Sequence, residues 1–212
     1  LLGAILLAGL KAAGGCTRRT ALVREPPAPY FGPRVSSPGA MPVARSPAPQ
    51  APPVRQAFWG EAAWDVNGPQ RQWRFIVIHH SATVRGSAAE FDRMHRSMGW
   101  DELGYHFVIG NGTASGDGQV EVGSRWLKQK HGAHCKVTGH PEYNDVGIGV
   151  CLVGNFNEQY PSAAQMDSLV RVVRHLMMKY DISTTRIFGH RDVKATDCPG
   201  RHVDVREVVR RL

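Results

Sequence analysis

Ten of the fourteen prolines in this 212-residue chain lie between residues 17 and 56. Alanine, arginine and serine fill the spaces between them. Such a segment cannot bury enough apolar surface to offset the entropy of ordering it. Its Pro-Pro and Pro-Ala-Pro steps favour an extended polyproline II spacer. Forty residues at roughly 3 Å each would reach on the order of 120 Å. A packed core therefore has to come from residues 57–212, which is one domain of ordinary size.

Charge divides at the same place. Residues 1–56 hold seven Lys/Arg and one Glu, whereas residues 57–212 hold nineteen basic and seventeen acidic residues. The formal charge of +8 thus belongs mostly to the tether. Basic residues spread along a proline-rich segment do not form the folded basic face of a nucleic-acid binder. They suit an anionic membrane surface or a cell-wall polymer better. Residues 1–16 begin with an apolar run too short to span a bilayer, and Gly14-Gly15-Cys16 resembles a lipoprotein cleavage box. Lipid attachment at Cys16, ordinary secretion and an uncleaved anchor all place the domain outside the cytoplasm, and the expected location is the bacterial cell envelope.

Inside 57–212 the apolar pattern alternates between strand and helix periods. Phe75–His80 is an apolar run ending in a histidine pair, and Tyr105–Ile109, Val120–Val122, Gly147–Phe156 and Arg186–Phe188 are further strands. Ser87-Ala88-Ala89-Glu90 and Ser162-Ala163-Ala164-Gln165 are capping boxes opening helices. The first has a stripe of Phe91, Met94, His95 and Met98, on which His95 is expected to be a satisfied core histidine. Asp204 caps a last helix. The pattern predicts an α/β fold in which helices cover a central mixed β-sheet.

Chemistry concentrates near the C-terminus, in Phe188-Gly189-His190-Arg191-Asp192-Val193-Lys194-Ala195-Thr196-Asp197-Cys198-Pro199-Gly200. An imidazole and a thiol stand eight positions apart, and Zn²⁺ accepts both. A third ligand has to come from elsewhere, and the strand-end pair His79-His80 is the best source. Adjacent strand residues face opposite sides, so only one of the two can point at the ion; spacing alone leaves that choice open. If Cys198 holds metal, Cys135 and Cys151 are either two buried thiols or a disulfide.

The ordered set Ile-His-His-Ser-Ala-Thr at 78–83, Gly104-Tyr105-His106-Phe107, Ile148-Gly149-Val150 and the Gly-His…Thr-x-Cys-Pro-Gly segment resembles the zinc amidases of the type 2 N-acetylmuramoyl-L-alanine amidase and peptidoglycan recognition protein superfamily. The resemblance spans roughly residues 70 to 212. It implies a zinc site at one edge of the sheet, with His79, His190 and Cys198 as ligands and Tyr105 and Thr196 as catalytic residues. It also implies His134 and Asn144 as substrate contacts. The implied activity is hydrolysis, by a zinc-activated water, of the amide between the lactyl group of N-acetylmuramic acid and L-alanine of the stem peptide. The partner would be peptidoglycan or a muropeptide, met by a monomer. Thr196 stands where phage members carry lysine, so no mechanism that needs a cation there applies. The alternative is a binding module of the same fold that grips muropeptides without cutting them. Such relatives typically lose the cysteine, which is present here.

Overall fold

The computed structural model describes residues 61–212. Cys16 and the proline-rich segment 17–56 lie outside the described residues. A 3₁₀ turn at Glu61–Trp64 leads to β1 (Phe75–His80), α1 (Ala88–Ser97), β2 (Phe107–Ile109) and β3 (Val120–Val122). Two single-turn helices, α2 (Ser124–Leu127) and α3 (Glu142–Asp145), punctuate the long connection to β4 (Gly147–Leu152). The long helix α4 (Ala163–Tyr180), β5 (Ile187–Gly189), α5 (His190–Val193) and α6 (Val205–Arg210) complete the domain.

The five strands form one mixed sheet in the order β3-β2-β4-β1-β5. Only β2 and β3 pair antiparallel, and the other neighbours run parallel. The expected α/β architecture with helices over a central mixed sheet is what the chain adopts. Parallel strands need both faces covered, and the alternation along β1 shows how. Ile76 and Ile78 enter the main core, with Ile148, Val150 and Leu152 of β4 and Leu169, Val173 and Leu176 of α4. On the other face, Val108, Cys151 and Val153 meet Phe91 of α1 and Leu103. Each fully buried aliphatic side chain of this kind contributes about 1.5–3 kcal/mol.

The caps follow the sequence with one difference. Ser162 and Gln165 make a complete capping box on α4. At α1, Ser87 Oγ accepts from Glu90 N at 3.2 Å, but the Glu90 carboxylate turns to Arg85 at 2.7 Å, so the reciprocal half is missing. Two strands are shorter than their apolar runs. Tyr105 and His106 precede β2, and β4 stops at Leu152, just before Gly154 turns at φ +153°. Cys135 and Cys151 are both free thiols, and both are buried. Among the described residues, no helix is long and apolar enough to cross a membrane.

Candidate metal centre and active site

The carboxyl ends of β1 and β5 lie side by side, the place where open α/β sheets collect ligands. The pleat separates the histidine pair. His80 Nδ1 accepts from Phe156 N at 3.2 Å on the α4 side. His79, 1% exposed, faces the other way. Pairing of Ile78 with Gly189 brings the next residue, His190, beside it, with ring centroids 4.6 Å apart. Asp192 Oδ2 accepts from Gly189 N at 2.7 Å and holds the turn on which His190 sits.

Cys198 is delivered by the segment that follows α5. Its carbonyl accepts from Arg191 N at 2.7 Å, and its Sγ accepts from His80 N at 3.4 Å. Gly200 then passes under Phe156 at φ +94°, where a Cβ would lie 2.6 Å from the Phe156 backbone. The outcome is a group of three: one donor atom each from His79, His190 and Cys198, all within 4.8 Å of one another. Sγ of Cys198 is 3.5 Å from Nδ1 of His79.

Burial sets the protonation states. Desolvation, reinforced by His190, His134 and His80, pushes His79 well below the ordinary imidazole range. Desolvation, then Lys194 and His80, bring His190 down to about 4. Both rings are therefore neutral at pH 7 and keep a lone pair to donate. Burial also pushes the Cys198 thiol up to about 12, against the opposing His80 N–H. Nε2 of His190 is buried without a hydrogen-bond partner, which is costly for a polar atom. Two neutral imidazoles and a thiol, one imidazole nitrogen buried and unpaired, fit a borderline-soft cation such as Zn²⁺.

The remaining expected residues fall around this group. The half-buried Tyr105 ring is 5.4 Å from that of His79. Burial first, then Cys151 and Cys198, push its hydroxyl well above 10. Thr196 is exposed, and its Oγ1 accepts from Cys198 N at 3.3 Å. His134 is buried, with Nδ1 3.1 Å from Nε2 of His79. Asn144 Oδ1 accepts from the backbone N–H groups of His134 at 3.0 Å and Cys135 at 2.8 Å. His95 is the satisfied core histidine expected, its Nδ1 accepting from Gly104 N at 3.0 Å. The contact between His134 and His79 spans 55 residues and has no local signal in the sequence. β4 pairs with β1, and the connection before β4 carries His134, whose Nε2 lies 3.2 Å from Gly147 O at the start of that strand.

Residues 69–201 match the family model described as N-acetylmuramoyl-L-alanine amidase. The chain belongs to this family. Peptidoglycan-recognition protein SC1a of Drosophila melanogaster is 32% identical over 165 residues, covering 71% of this chain and 80% of that protein. Among solved structures, the N-acetylmuramoyl-L-alanine amidase LysC from Clostridium intestinale URNW superposes with a TM-score of 0.56 at 32% identity, covering 68% of this chain and 89% of that one. A Drosophila PGRP-LB mutant in complex with tracheal cytotoxin superposes with a TM-score of 0.50 at 25% identity, covering 68% of this chain and 88% of that one. The family's amidases and its recognition proteins thus share this chain's fold.

Proposed function

We propose that this chain is a zinc-dependent N-acetylmuramoyl-L-alanine amidase. It would cleave the amide between the lactyl group of N-acetylmuramic acid and L-alanine of a peptidoglycan stem peptide or a soluble muropeptide. The observation that carries this reading is the convergence of His79, His190 and Cys198 within 4.8 Å. A recognition module would need no such donor set.

A zinc ion held by these three residues would supply a Lewis acid for the amide carbonyl and lower the pKa of water at its open position. The protein's own residues do the rest. His79 and His190 arrive neutral and need not lose protons before ligating. Cys198 as thiolate brings one negative charge. Tyr105, whose phenol keeps its proton throughout the physiological range, donates a hydrogen bond to the carbonyl oxygen as charge develops there. Thr196 uses its oxygen as an acceptor for Cys198 N, which leaves its proton free to donate to the same oxyanion. The burial of His79 excludes water from the inner side of the site and strengthens each of these bonds.

The test compares zinc content and stem-peptide release from purified wall and from soluble muropeptide, for the chain and for Cys198→Ser. One zinc per parent chain with peptide release, both lost in the variant, supports the reading. Zinc and muropeptide binding without release would make the domain a receptor. Absence of zinc in the parent, after loading, would remove the reading's foundation.

A further inference from the structure

The ring of His134 approaches His79 at the nitrogen opposite the one that faces Cys198. Its Nε2 lies 3.2 Å from the carbonyl oxygen of Gly147, and its Nδ1 lies 3.1 Å from His79 Nε2. A carbonyl oxygen only accepts, so the proton of His134 belongs on Nε2. The ring is buried, and neither of its nitrogens meets a carboxylate that would offset the cost of a buried positive charge. It therefore carries a single proton, and its Nδ1 is an acceptor. His79 must then donate from Nε2. His79 is buried in the same way, so a second proton on it would be an uncompensated buried charge. With its one proton on Nε2, its Nδ1 holds the free lone pair, and that is the nitrogen 3.5 Å from Cys198 Sγ. The opposite arrangement would set the His134 Nε2 lone pair against the Gly147 oxygen in a buried place, where such a mismatch is most costly. It would also put a proton on the His79 nitrogen that faces Cys198.

The slot for this ring is built from several sides. A Cβ on Gly132 or on Gly149 would come within 2.4 Å of the His134 ring. Asn144 Oδ1 fixes the backbone at His134 and Cys135. The neighbouring His106 has its tautomer set in the same way. Its Nδ1 accepts from Gly149 N at 2.9 Å, so its Nε2 donates to Lys130 O at 3.0 Å. It offers no proton to His134.

We propose that His134 is a positioning residue, which fixes the tautomer of His79 through the chain Gly147 O, His134, His79, and that Asn144, Gly132 and Gly149 hold it in place. Both nitrogens of His134 are committed to the protein, so the residue acts on the reaction through His79 and not by touching the muropeptide. Partners of this kind orient a ligating imidazole and raise its basicity, and their loss typically weakens metal binding 10- to 100-fold. The consequence for affinity rests on the zinc reading; the proton arrangement does not.

The experiment is long-range ¹H–¹⁵N NMR of the histidines in the metal-free full chain at neutral pH, with zinc affinity measured by chelator competition on the same samples. The expected spectrum shows His79 and His134 each as a single Nε2–H tautomer. His134→Ala should mix the His79 tautomers and raise the zinc Kd 10- to 100-fold. His134→Gln, whose amide accepts and donates from one group, should keep the His79 tautomer and bring the Kd back to within about threefold of the parent. A proton on Nδ1 of His79 in the parent overturns the proposal without any variant. So does a His134→Ala chain that binds zinc as tightly as the parent. A parent that binds no zinc would sink the metal reading, and the NMR result would still decide the proton arrangement.

Discussion

At the scale of single residues, the site separates groups that must lose a proton from groups that must keep one. Tyr105 keeps its proton because burial, with Cys151 and Cys198 nearby, pushes its hydroxyl well above 10. Tyr105→Phe removes the donor and almost no volume. It is expected to lower kcat about 10²- to 10³-fold while zinc content stays at the parent level. Steady-state rates on a muropeptide, with metal analysis of the same preparation, decide it; an unchanged kcat would remove Tyr105 from the mechanism. Cys198 is the opposite case. Without a cation its thiol is pushed up to about 12, yet as the proposed zinc ligand it would have to bind as thiolate. Zinc uptake near neutral pH should therefore release one proton from Cys198 and none from His79 or His190, which are already neutral. Raising pH removes the competing proton, so the zinc Kd should fall about tenfold per pH unit between roughly 6.5 and 8.5. A pH-independent Kd would mean that Cys198 is not the ligand.

At the scale of elements, the strand ends place the chemistry and the glycines leave room for it. Gly149 on β4 is the clearest instance, since a Cβ there would lie 2.4 Å from the His134 ring. Gly149→Ala is expected to displace His134 and weaken zinc binding by about tenfold or more, while the sheet, paired on both sides of β4, stays folded. Circular dichroism beside a zinc titration separates the two effects, and an unaltered Kd would show that the slot is not needed. Much of this level was legible in the sequence. The apolar run at 75–80, the capping box at 162–165 and the His190/Cys198 pair each depend on neighbours within a few residues, and local chemistry determines them. The half-formed box at Ser87 was not legible, because Glu90 prefers the Arg85 guanidinium. Nor was the position of His134. Its partners, His79 and Gly147, meet it through the β3-β2-β4-β1-β5 strand order, which a periodicity of two or 3.6 does not encode. The resemblance pointed to His134 as a substrate contact, whereas its ring nitrogens face His79 and Gly147.

At the scale of the whole molecule, the domain buries histidines that are neutral when folded, and this ties its stability to pH. Desolvation brings His95 down to about 4, with Arg125 adding to it, and brings His106 down to about 3 against the Lys130 carbonyl. In the unfolded chain both titrate near 6.5. Between about 6.5 and 4 the unfolded state therefore binds more protons than the folded one, and stability falls as pH falls. Each such histidine steepens the loss by up to roughly 1.4 kcal/mol per pH unit. Glu102 loses its contribution at lower pH. Against its burial, hydrogen bonds from Lys128, Ser124 and Lys130 hold it down at about 2, so its share is present above about 4.5 and lost below that. Thermal unfolding of the metal-free chain should accordingly show a falling midpoint from pH 6.5 to 5, while the carboxylates are still ionised. His106→Gln, which can accept from Gly149 N and donate to Lys130 O without titrating, should flatten that slope. A slope unchanged by this variant would show that His106 does not carry it. Zinc on the proposed donor set would add a second dependence of the same sign, because protons would compete for Cys198 and, at lower pH, for the two histidines. At 100 times the Kd it should stabilise the fold by about 2.7 kcal/mol at pH 7.5. At the same zinc concentration that gain should fade as pH approaches 5. If zinc raised the midpoint equally at both pH values, its ligands would not be groups that must lose a proton, and Cys198 would have to be replaced in the donor set.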